Sequence, residues 1–132
     1  MFKLIKIENA RQNVPSPEFH EVTAEEAVTY GEALVLSSGA LTKCGATAAP
    51  AFIAMKDLTA AAADRRIPVI RVESNQVYEV PVQAAPTSLN EGDKVTLHTD
   101  GLQVTATTTS GVVTIISKNG ATAAGDKILV RI

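Results

Sequence analysis

Residues Ala48–Val82 read AAPAFIAMKDLTAAAADRRIPVIRVESNQVYEVPV, and the reading of this stretch decides the fold. An apolar run, Ala51–Met55, leads into an alanine-rich insert. Two alternating runs follow, Ile67–Val72 and Val77–Val82, with Ser74 and Asn75 breaking the chain between them. Alternation with period two marks strands that send every second side chain into a core. The stretch therefore predicts a β-meander around a small core. It offers almost nothing that could act on a substrate, which points to a protein that works by shape and by binding.

Working outward, 132 residues suit one domain with room for an appended arm. A chain of this mass buries roughly two thirds of its unfolded surface, enough for one core. That core is short of large anchors: apolar content is 45%, yet tryptophan is absent, and Phe2, Phe19, Tyr30, Phe52 and Tyr78 are the only aromatic residues. Valine, isoleucine, leucine and alanine must do the packing, so assembly with further copies or a partner is expected. The net charge of −2 comes from interspersed acids and bases. No run of basic residues calls for nucleic acid or a membrane surface. Cys44 is the single cysteine, which excludes an intramolecular disulfide and a cysteine zinc site and fits a reducing compartment. The opening MFKLIKIENARQ lacks the continuous apolar core of a signal peptide. No stretch reaches the ~20 apolar residues of a membrane span. The expected product is soluble and made in the cytoplasm.

Phe2–Ile7 alternates and reads as a first strand. Residues 9–18 are polar, and Pro15 and Pro17 hold that segment extended while denying it backbone donors, which predicts an arm or linker. Thr23 with Glu26 matches a capping box and predicts one helical turn. Thr59–Arg66, TAAAADRR, has helical composition but is too short for a stable helix and reads as one turn or a loop. A Gly-acidic pair opens three apolar runs: Gly31-Glu32, Gly92-Asp93 and Gly125-Asp126. In each, glycine supplies a permissive backbone angle, the acid a turn hydrogen bond, and a strand follows. Ser38-Gly39 and Asp100-Gly101 predict hairpin turns, the second between Val95–Thr99 and Leu102–Thr107. KCGATAA at 43–49 and KNGATAA at 118–124 match at six of seven positions. An internal pseudo-repeat and chance matching in alanine-rich sequence both account for that echo. The expected architecture is all-β: a small β-barrel or sandwich of β-tulip type with at most one or two short helical turns. Residues 1–29 would form an N-terminal strand and extended arm, and residues 30–132 the body.

Few residues carry recognisable chemistry. A nucleophilic Cys44 would need His20 or His98 beside it; the plainer reading is a small residue in a tight turn. Two isolated histidines without a third ligand at metal spacing do not make a metal site. Glu25-Glu26 and Glu91-Gly92-Asp93 are adjacent acids on loops and cannot face each other across a substrate. Asp64-Arg65-Arg66 is the one compact charged cluster; it reads as a solvated loop tip or an intersubunit ion-pair site. The threonine-rich run Thr105–Thr114 reads as the polar side of an exposed hairpin, with a glycan-facing ladder as the alternative. No catalytic residue, metal or cofactor is expected.

The order Gly31–Leu36, then Ala49–Met55, then the alanine insert, then Ile67–Val72 resembles small phage capsid decoration, or cement, proteins. Agreement covers about a third of the chain directly, and the hairpins of Asn90–Ile132 have no counterpart in it. What the resemblance implies is a compact β body, as a homotrimer on the outer surface of the phage head, clamping neighbouring major capsid protein subunits. The N-terminal arm would carry the capsid contacts, through Phe2, Leu4, Ile5, Ile7, Val14, Pro15, Pro17 and Phe19. Phe2–Ile7 could then add as a strand to an exposed capsid edge. Asp64, Arg65 and Arg66 would lie between subunits. Another virion β module, at the tail or fibre base, and a glycan-binding β module are the alternatives.

Overall fold

A computed structural model describes residues 1–8 and 15–132. Ten strands are present among them and no helix: β1 (Lys3–Ile7), β2 (Glu18–Glu21), β3 (Ala33–Ser37), β4 (Ala40–Lys43), β5 (Phe52–Ala54), β6 (Arg66–Arg71), β7 (Gln76–Pro81), β8 (Lys94–Val95), β9 (Val113–Ser117) and β10 (Lys127–Arg131). They form two five-stranded antiparallel sheets, ordered β1-β7-β10-β9-β8 and β2-β6-β5-β3-β4. The protein is an all-β sandwich.

The first core lies between the sheets and gathers Phe2, Ile53, Tyr78, Val80, Val95, Leu97, Ile115, Ile128 and Val130. A second core sits on the other face of the β2–β4 sheet, where Leu34, Leu41, Phe52, Ile67 and Val69 meet Val22, Val28 and Leu58 from the covering loops. That sheet is apolar on both faces because it curls. A single parallel bridge, Val22 to Leu41, links its two edges, and one bridge does not close a barrel.

The predicted meander is not formed. β6 pairs with β5 and β2, whereas β7 pairs with β1 and β10 in the opposite sheet. Residues 72–75 are thus a corner between sheets rather than a hairpin turn. Buried Gln76 holds the corner: its side-chain oxygen accepts from the Glu73 amide at 2.9 Å and the Tyr78 hydroxyl, and its nitrogen donates to the Arg71 carbonyl at 3.1 Å. Alternation identified both strands correctly; the satisfied buried amide sends them to different layers.

A separate arm over residues 1–29 is likewise corrected for the described residues. β1 pairs with β7, β2 pairs with β6, and Phe2 is 2% exposed, edge-on to Tyr78 with ring centroids 6.2 Å apart. The helical turn at Thr23 is a β-turn instead, closed by the Glu26 amide on the Thr23 carbonyl, with Glu25 at φ 63°. Glu26 cannot complete a capping box because its carboxylate accepts from the Thr42 hydroxyl at 2.7 Å and the Lys43 amide at 2.6 Å.

The three Gly-acidic pairs adopt one turn. In residues 29–32, 90–93 and 123–126 the fourth residue's amide donates to the first residue's carbonyl, and its carboxylate accepts from the first residue's amide at 2.8 Å. Gly31, Gly92 and Gly125 take φ of 77°, 92° and 86°, which a side chain disfavours. Ser38-Gly39 is the expected two-residue hairpin turn, with both φ positive between paired Ser37 and Ala40. The KxGATAA echo diverges in backbone: Asn119 and Gly120 are left-handed, at φ 50° and 78°, and Cys44 and Gly45 are not.

Candidate interaction surface

The residues expected to meet a partner separate by burial. Phe2 lies in the first core and anchors β1, so it is not a surface contact. Leu4 packs against the same core, and Ile7 is half-buried opposite Gln76. Val14 lies outside the described residues. Ile5, at a bulge in β1, is exposed; Pro15 is half-buried, Pro17 is exposed, and Phe19 is 55% exposed. β1 ends its sheet: one of its edges is taken by β7, and the other pairs with no strand among the described residues, so strand addition by Phe2–Ile7 to a partner would have to use that outer edge.

Phe19 stands at the rim of the β2–β4 sheet. It lies opposite Pro68 on β6, and the Pro68 carbonyl accepts from the Met55 amide on the far side. Phe19 on β2, Pro68 on β6 and Met55, the residue just after β5, therefore form an apolar row. Because Pro68 directs its backbone toward β5, the amide and carbonyl of Phe19 point outward, away from β6. Pro17 has no amide hydrogen to offer on that edge, and the Thr23 amide is bound to the Leu41 carbonyl at 2.8 Å. The open backbone is short, so the side chains dominate this surface.

On the other face of β2, Glu18 and His20 stand two residues apart and so share a side. Arg71 meets Glu18 through two bonds of 2.6 and 2.8 Å, and His20 Nε2 lies 3.0 Å from the same carboxylate. The Arg71 guanidinium is 4.9 Å above the Phe52 ring, and the His20 ring packs 4.9 Å from it. Arg71, and then His20, lower the Glu18 pKa to about 2. This cluster fastens edge strand β2 over the second core. The sequence reading missed this cluster: Glu18 and His20 are its one local pair, and the arginine comes from a strand more than fifty residues away, which spacing could not reveal.

Arg65 is engaged within its own chain. Its guanidinium donates to the carbonyls of Thr59, Ala60, Thr23 and Glu26, tying two loops together over the second core. Asp64 is exposed and caps the Arg66 amide at 3.0 Å, and Arg66 is exposed beside the Phe19 carbonyl. The threonine run forms no ladder. Thr107, Thr108 and Thr109 lie in an exposed loop, whereas Thr105 faces inward to share a hydroxyl bond of 2.7 Å with Thr96. Cys44 is fully buried, and burial pushes its thiol up to about 11, away from thiolate chemistry. Among the described residues, no group of three or more His, Cys, Asp or Glu side chains is placed to hold a metal. No family model and no curated protein matches the chain.

Proposed function

We propose that this protein is a structural component of a phage head. In this reading it binds the outside of the assembled capsid as a homotrimer and clamps neighbouring major capsid subunits. The observation that carries it is Phe19: a large aromatic side chain, more than half exposed, on an edge strand, continued by Pro68 and Met55. An apolar row of this kind gains by leaving water, roughly 1.5–3 kcal/mol for one large side chain fully covered. Prolines beside it limit indiscriminate strand pairing and leave specificity to side chains. Threefold repetition would multiply modest contacts through avidity.

The test is binding to assembled heads against unassembled capsid monomers, together with release of the packaged genome on heating. Binding to heads only, with heads that leak sooner when the protein is omitted, is the expected outcome. Equal thermal stability with and without it would sink the proposal. Phe19→Ala should weaken attachment about 10-fold per site while leaving the melting temperature within a few degrees, since Phe19 contributes little to either core.

A further inference from the structure

A clamp needs two surfaces, and the second has a different chemistry from the Phe19 row. Strand register fixes which side chains of the β1-β7-β10-β9-β8 sheet face solvent. Leu4 pairs with Tyr78, Ile128 with Val80, Val130 with Ile115 and Val95 with Val113, all turned into the first core. Their neighbours must then point outward. Those neighbours are Lys3 and Lys6 on β1, Lys127 and Arg131 on β10, and Lys94 on β8. The carboxylates among them are Glu79, paired with Lys127 at 3.1 Å, and Glu8, paired with Lys6 at 2.9 Å and with Arg131. Among the described residues, five cations against two acids leave this face positive, on a chain whose formal net charge is −2. Lys3 and Lys94 are exposed and make no ion pair among the described residues. Exposed Ile5 and half-buried Leu129 and Pro81 add apolar area between the charges.

We propose that this sheet face is a docking surface for an acidic protein surface. It deepens the head-binding reading, on which the identity of the partner rests, by assigning the face that meets the partner. Complementary charge steers encounter and sets orientation. Two features favour a protein over nucleic acid. Glu8 and Glu79 would repel a phosphate chain yet can meet a partner's basic side chains. All five aromatic residues lie elsewhere, with Phe2, Tyr78 and Phe52 in the cores, Phe19 on β2 and Tyr30 in a turn, so the face has no platform on which bases could stack.

The first arm of the test uses the isolated protein and nuclear magnetic resonance. Poly-L-glutamate at low salt should shift amides of β1, β10 and β8, and the shifts should vanish by about 0.5 M salt. The Lys3→Ser/Lys94→Ser double variant should bind roughly 5-fold more weakly while melting like the wild type. Shifts confined to the β2–β4 sheet, or no shifts, would overturn the assignment. Tighter binding of a short DNA duplex or of phosphatidylglycerol vesicles would overturn the class of partner. The second arm measures wild type and double variant on heads assembled without the protein. If the wild type binds heads and the variant binds equally at every salt concentration, the docking face is wrong and head binding stands. If polyglutamate maps to the face but heads bind neither protein, head binding is wrong and the face stands.

Discussion

Glu32 shows how one methylene changes a repeated turn. Its counterparts Asp93 and Asp126 close the same turn near solvent, but the longer Glu32 side chain is buried. One oxygen accepts from the Thr29 amide at 2.8 Å; the other has no hydrogen-bond partner and lies 3.5 Å from the Lys43 ammonium. Burial raises the carboxyl pKa above its usual value, against the opposing pull of Thr29 and Lys43. The folded state therefore holds this proton more tightly than the unfolded chain does. Its contribution to stability is fully present below the unfolded pKa and is lost as pH rises through the folded one. Glu32→Gln should remove that segment of the pH profile and stabilise the protein at pH 7 by about 1 kcal/mol, read from urea unfolding at pH 7 and 5. Glu18 carries the opposite sign. Its lowered pKa contributes stability above the ordinary carboxylate range that is lost as pH falls towards about 2. Acid titration should accordingly release the Phe52 ring from His20 and Arg71, seen as changed aromatic shifts, while the first core persists. The burial of Glu32 was not legible beforehand, because Gly-acidic pairs look alike in sequence and differ only in what folds over them.

Among elements, the turns were the most legible, since their chemistry is local. Gly31 and Gly125 share a left-handed backbone but differ in surroundings. A Cβ on Gly31 would stand 2.7 Å from Met1 Cβ and 2.9 Å from the Phe2 carbonyl, whereas one on Gly125 would meet nothing within 4 Å. Gly125→Ala should cost about 1 kcal/mol for the backbone alone, and Gly31→Ala about 2–3 kcal/mol, compared by thermal or urea melts. Strands β1, β6 and β7 were legible from alternation, and β3, β4 and β10 from the turns that open them. Their partners were not: Ile67–Val72 and Val77–Val82 are adjacent in sequence and read as a hairpin, yet the buried Gln76 amide turns the chain across the sandwich. The basic face was invisible for a similar reason. Its lysines and arginine span residues 3 to 131, and only register brings them to one side.

At the scale of the molecule, the first residues belong to the fold. Deleting residues 1–7 should abolish cooperative unfolding rather than trim a binding arm, because it removes Phe2 from the first core and leaves the β7 edge bare. Phe2→Ala alone should cost about 3–5 kcal/mol in a denaturant melt. The same placement has a mechanical consequence. β1 and β10 flank β7 and both run antiparallel to it, so they run parallel to each other. Lys3 lies opposite Glu79, near the Pro81 end of β7, and Val130 lies opposite Tyr78, with the chain running on toward the Gln76 end. Tension applied between Met1 and Ile132 must slide both outer strands along β7, loading their hydrogen bonds together. Tension between Met1 and Val82 instead peels β1 away one bond at a time. In an optical trap the first geometry should resist to the higher force, so the sheet is strong along the line joining its ends and weak across it.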